Sequence, residues 1–302
     1  MENKLGAGTS AETALKVEEL WATMEGARMR YLRAGSGPPL ILLHGLLGYS
    51  FSWRFNIPAL AQHFTVYAVD QLGVGFSERP PGLDGTLRAT AGRMLRFLDH
   101  INASSCDLLG TSHGGAVAMM TAAFSAQRGG PRIRRLVLAA PANPWSQHGR
   151  RLAPFLSSPP VSTVLHSVAP FAEPTHRFFL RRLYGDKRRI RPGTLEGYSA
   201  PFRIPGTLAH GLGVLRSWTD DLMELARAIP SLANIPTLLI WGSRDPAVYP
   251  SSAEPLQRQF RHCELVIMKG VGHLPYEEKP EEFNAAVSDF LQRDLPGGSP
   301  IA

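Results

Sequence analysis

The stretch Leu108-Leu109-Gly110-Thr111-Ser112-His113-Gly114-Gly115 decides the fold. A short apolar strand pattern over residues 107–109 runs into G-x-S-x-G, and an Ala- and Met-rich helical pattern over 115–127 follows. A serine on a sharp strand-to-helix turn takes strained backbone angles, and a glycine on each side lets neighbouring backbones close around it. The turn also sets Ser112 at the positive end of the helix, where developing negative charge is stabilised.

Outward from this turn the same unit recurs. Residues 40–43 are a continuous apolar run bounded by turn residues, as expected of a strand buried on both faces, and 65–69, 133–139, 237–241 and 264–268 read as further strands. Residues 17–21 and 27–33 alternate and read as an antiparallel hairpin at a sheet edge. Helical patterns over 86–100, 115–127, 251–260 and 280–291 separate most of the strands. The alternation predicts an α/β chain with a mostly parallel sheet flanked by helices. Residues 141–228 break it. They hold short helical pieces between many prolines and no convincing strand, and read as a helical insertion over one end of the sheet. Residues 1–16 and 295–302 read as flexible ends.

A serine hydroxyl needs a base to act as a nucleophile. His273, in Gly270-Val271-Gly272-His273-Leu274-Pro275, follows the last strand and precedes the last helix. It therefore shares the carboxyl edge of the sheet with Ser112, whereas a histidine in an ordinary loop is simply solvated. The base needs an orienting carboxylate. Asp245, in Trp241-Gly242-Ser243-Arg244-Asp245-Pro246, lies just past a strand, although an Asp-Pro turn residue would look the same. Asp220 and Asp221 are weaker candidates away from strand ends. An oxyanion needs donors. These are expected from the backbone N–H groups of His113 and of Leu46, the latter in the turn after residues 40–43. Leu47, Phe51 and Trp53 are expected to line the pocket.

With these elements in place the chain resembles the α/β-hydrolase superfamily from about residue 25 to 293. The resemblance rests on the His44-Gly45 turn, the segment Asp70-Gln71-Leu72-Gly73-Val74-Gly75-Phe76-Ser77, the elbow at Ser112, the Asp245 turn and the His273 loop. It implies an eight-stranded sheet formed by residues 1–140 and 229–302, with a helical cap at 141–228 inserted after the sixth strand. It also implies that the Asp70–Ser77 glycines shape the site without acting in it. Haloalkane dehalogenases and epoxide hydrolases of the superfamily use an Asp nucleophile. Ser112 instead indicates hydrolysis of a carboxylic ester, thioester, lactone, amide or C–C bond. Cofactor-free perhydrolases keep the same serine, and a non-hydrolytic ligand-binding member would keep the pocket. The C–C hydrolases often carry Met after the nucleophile, where this chain has His113.

Composition narrows the rest. Two cysteines exclude a disulfide framework, no His/Cys/Asp spacing suggests a metal, and Gly73-x-Gly75 lacks a dinucleotide fingerprint, so no cofactor is expected. No apolar run reaches the ~18 residues of a membrane span, and residues 1–20 lack a secretory signal pattern, so a cytoplasmic protein is expected. The net charge of +7 could suggest nucleic acid, but it is concentrated. Residues 141–228 carry 12 Lys and Arg against six acids. No nucleic-acid fold accompanies them. The densest part is His176-Arg177-Phe178-Phe179-Leu180-Arg181-Arg182-Leu183. It reads as a solvated helix, as a surface for anionic membrane aided by Phe155, Leu156, Val161, Val164 and Leu165, or as a site for an anionic substrate. The expected partner is a small or lipid-like ester; oligomeric state is not legible.

Overall fold

The computed structural model describes residues 15–146 and 172–293, with residues 153, 155, 158 and 161 between them. The expected ends at 1–14 and 295–302, and Leu156, Val164 and Leu165, lie outside the described residues.

Eight strands form one sheet: β1 Val17–Met24, β2 Ala27–Ala34, β3 Pro39–Leu43, β4 Thr65–Val69, β5 Ser105–Thr111, β6 Arg132–Ala139, β7 Thr237–Gly242 and β8 Cys263–Met268. Their order is β1-β2-β4-β3-β5-β6-β7-β8. β1–β2 and β2–β4 pair antiparallel, and the remaining pairs are parallel. β1 runs three residues beyond the expected 17–21, because the alternation continues through buried Ala22 and Met24. Its hairpin closes on Glu25 and Gly26, both at positive φ (53° and 80°), as a two-residue turn between right-twisted strands requires.

The continuous apolar runs split cleanly between two cores. Ile41 and Leu43 of β3 join Leu136 and Leu138 of β6 on one face, while Leu40 and Leu42 join Val137 and Ala139 on the other. Helices α2 (Leu87–His100) and α3 (His113–Arg128) cover the first face. The one-turn helix α1 (Ile57–Leu60) and the C-terminal helix of the chain cover the second.

Between β6 and β7 the described elements are helical: α4 Ala172–Leu183, α5 Thr194–Ser199 and α6 Thr207–Ala228. The expectation of short pieces fits α5 and fails for α6, which runs 22 residues. No proline falls between Pro205 and Pro230, so nothing interrupts the backbone ladder, and the helix buries Leu212, Leu222 and Leu225. Asp221, a candidate acid, is spent structurally. It accepts from the Leu87 N–H at the start of α2 (3.0 Å) and from Ser217 Oγ (2.6 Å). Asp220 is exposed. The chain closes with α7 Ala253–Gln257, α8 Pro275–Glu278 and α9 Pro280–Gln292, the last with proline in its first turn as expected. Among the described residues no helix is long and apolar enough to cross a membrane.

Candidate active site

Parallel pairing puts the carboxyl ends of β3, β5, β7 and β8 at one edge of the sheet, and loops from those ends build open α/β sites. Ser112 stands between β5 and α3 at φ 51°, ψ −123°. Its neighbours must be glycine for steric reasons. A Cβ on Gly110 would enter the Gly114 carbonyl, and one on Gly114 would enter the carbonyls of Leu43 and His44. The strained turn is held by backbone bonds. Ser112 N–H donates to Ala139 (3.0 Å), and its carbonyl accepts from Gly115 (3.0 Å), Ala116 (3.3 Å) and Ala142 (2.9 Å). Strain of this kind persists only where the surroundings over-determine it.

The turn after β3 lies against the serine. A Cβ built on Gly45 would stand 3.2 Å from Ser112 Cβ and 3.8 Å from Ser112 Oγ. His44 fixes this turn. Its Nε2 accepts from the Gln71 N–H (3.1 Å), which leaves Nδ1 as the donor toward the Gly45 carbonyl (2.8 Å). Neither the Leu46 nor the His113 N–H is given to another described residue. Asp70 serves the scaffold: one oxygen takes the Ser50 N–H (2.8 Å), the other the Phe76 N–H (3.0 Å) and Arg30 (3.1 Å).

His273 and Asp245 are joined directly, with Nδ1 of the histidine 2.8 Å from Asp245 Oδ2. Both side chains are buried. Asp245 Oδ1 accepts from the N–H groups of Ala247 (2.8 Å) and Val248 (2.9 Å), so both carboxylate oxygens are engaged. No hydrogen bond joins Ser112 Oγ to His273.

The expected pocket residues divide. Leu47, at φ 58°, lies against Gly211 of α6, where a Cβ would collide with its side chain. Phe51 stacks on Tyr49 (5.6 Å, 15°) and meets Tyr198 of α5 edge-on (5.3 Å). Both therefore face the helical segment. Trp53 does not: it is wholly buried against Tyr276 (4.9 Å) inside the second core. Two residues further along the same tight turn, its side chain points into the protein rather than toward the helices.

Two carboxylates escaped the sequence reading. Glu277 accepts from Arg54 through both oxygens (2.5 and 2.8 Å) and from Tyr198 (2.7 Å). Glu278 accepts from the N–H groups of Gly272 (2.6 Å), Gly185 (2.9 Å) and Asp186 (3.1 Å). The same loop is tied again where His273 N–H donates to the Leu183 carbonyl (2.7 Å). Gly242, Gly272 and Gly185 are packed backbone to backbone, with no room for a Cβ on any of them. The helical segment and the His273 loop are thus tied together at this end. The signal available in the sequence was a pair of acids inside the otherwise apolar turn Leu274-Pro275-Tyr276-Glu277-Glu278. Apart from Gly272, their partners lie about 80–220 residues away in the chain.

Four buried histidines, His44, His113, His176 and His210, are held toward the neutral form. Burial above all, then neighbouring His44 and His210, pushes His113 down to about 3; its ring stacks on Trp218 of α6 (6.0 Å). Burial likewise lowers His44, and takes His210 and His176 to about 4. An unfolded histidine titrates near 6.5, so between pH 6.5 and about 4 the unfolded chain binds protons that the folded chain refuses. Stability is therefore fully present above pH 6.5 and falls as pH drops through that window. Each such histidine contributes a slope of about 1.4 kcal/mol per pH unit. Urea midpoints measured from pH 7 to pH 5 should decline steadily, and less steeply in His210→Asn; a flat profile would contradict the assignment.

A family model described as alpha/beta hydrolase fold matches residues 38–280. The chain belongs to this family. This α/β-hydrolase is 31% identical over 285 residues to haloalkane dehalogenase 2 of Mycobacterium tuberculosis strain H37Rv, covering 89% of this chain and 93% of that protein. It is 28% identical to 2-hydroxymuconate semialdehyde hydrolase of Pseudomonas sp. strain CF600 (88% and 91% covered). It is 27% identical to pimeloyl-[acyl-carrier protein] methyl ester esterase of Nitrosospira multiformis (85% and 96% covered). The relatives are named as hydrolases of several bond types, so the family membership makes the α/β-hydrolase an enzyme without fixing its substrate.

Proposed function

We propose that the enzyme is a serine hydrolase of ester-type substrates, working through Ser112, His273 and Asp245. The observation that carries this is the nucleophile itself: a hydroxyl, not a carboxylate, stands on the elbow. Serine attack on an alkyl halide would leave an ether that water does not cleave, whereas attack on a carbonyl leaves an ester that it does. The likeness to a dehalogenase therefore supports the scaffold and not that reaction.

In the proposed cycle His273 Nε2 takes the Ser112 proton as Oγ attacks the carbonyl. Asp245 holds the tautomer with the proton on Nδ1 and offsets the imidazolium charge. The Leu46 and His113 N–H groups receive the oxyanion. His273 then protonates the leaving alkoxide, and water activated by the same histidine releases the acid. The helical segment is a cap over this site, with the substrate between it and Leu47 and Phe51. No step calls for a cofactor.

Hydrolysis of a C–C bond on the same residues is the second reading, favoured by the likeness to 2-hydroxymuconate semialdehyde hydrolase. Turnover of esters graded in acyl length, set beside turnover of 2-hydroxymuconate semialdehyde, separates the two. A fluorophosphonate probe should label wild type at Ser112. Absence of labelling in folded protein would overturn both.

A further inference from the structure

We propose that the outward face of α4 is a docking surface for an anionic phospholipid bilayer. The inference is independent of which bond Ser112 cleaves.

The helix is divided by burial. Leu180 is buried in the second core, and His176 stacks on Phe202 with ring centroids 4.1 Å apart. Phe178 on the opposite face and Phe179 on the flank beside it are 56% and 59% exposed, with ring centroids 5.6 Å apart. A single exposed apolar side chain is ordinary, but a contiguous aromatic pair rimmed by charge marks a surface that meets something.

The rim has one sign. Arg181, Arg182 and Lys187 are exposed, and none is ion-paired to another described residue. The Arg182 guanidinium lies 5.6 Å from the centre of the Phe178 ring. The acids nearby are already committed: Glu173 to Arg177 and Arg203, Glu196 to Arg177, and Asp186 to Arg188. Of the three cations, Arg181 and Arg182 stand on α4 beside the aromatic pair. Aromatic rings that enter the headgroup layer, with arginines that reach lipid phosphates, make an in-plane membrane contact. A second copy of the chain is a poorer partner, because a two-fold contact would bring the same cationic rim against itself.

The location gives the contact a purpose. The last residue of α4, Leu183, accepts the His273 N–H. Docking through this face holds the His273 loop close to the lipid surface.

Sedimentation with phosphatidylcholine vesicles, with and without phosphatidylserine, tests the proposal. The full chain should bind phosphatidylserine vesicles at low salt and release them as salt rises. Replacing both Arg181 and Arg182 with alanine should weaken binding about 30-fold. Replacing Phe178 and Phe179 with serine should also weaken it and leave turnover of a water-soluble ester unchanged. Failure of wild type to bind phosphatidylserine vesicles at low salt would overturn the proposal. So would wild-type binding by both double variants, or a change of oligomeric state in the variants with vesicle binding intact. Loss of fluorophosphonate labelling with vesicle binding retained would strike the serine-hydrolase reading alone.

Discussion

Ser112→Ala should lower kcat by about six orders of magnitude and leave the melting temperature nearly unchanged. The size of the loss follows from the role proposed for Oγ, since no neighbouring group stands in for a covalent nucleophile once it is gone. The unchanged fold follows from the structure. The hydrogen bonds Ser112 makes to other described residues run through its backbone, and Oγ is given to none of them. Alanine meets the same strained φ of 51° as serine. Steady-state turnover of a soluble ester, with circular dichroism on the same samples, checks both halves. Retained turnover would remove Ser112 from the reaction.

Asp245→Asn should lower kcat by three to four orders of magnitude with little effect on KM. One oxygen of the carboxylate accepts two backbone N–H groups, from Ala247 and Val248, while the other faces His273 Nδ1. An asparagine keeps its single oxygen on the two backbone donors and turns its NH2 toward the histidine. Nδ1 must then accept, which moves the proton to Nε2, and a protonated Nε2 cannot take the Ser112 proton. Asp245→Ala removes the carboxylate without imposing that tautomer. If the wrong tautomer is the fault, Asp245→Asn should therefore be slower than Asp245→Ala. A near-wild-type rate would move the orienting acid elsewhere.

The elbow, the Asp245–His273 pair and the strands that carry them were legible because each depends on a local pattern. G-x-S-x-G states its backbone need in five residues, and Asp245 and His273 each follow a strand pattern and a glycine-bearing turn. The two acids of α8 were not legible, since their meaning lies in which distant N–H groups they meet. Trp53 shows the limit from the other side. A residue near a motif is easily taken for a pocket residue, but its direction is set by the local turn and by Tyr276, 223 positions further on. The 22-residue α6 was obscured by the prolines before it, which suggested fragments throughout.

For engineering, the junction at Glu278 means that the helical segment is not an interchangeable part. A segment transplanted from a relative to alter selectivity would have to offer its own N–H groups at positions 185 and 186 to Glu278, and a carbonyl at 183 to His273. It would also need a glycine where Gly185 meets Gly272. A graft lacking these contacts would displace His273, so Gly272, His273, Glu277 and Glu278 should be designed together with the segment.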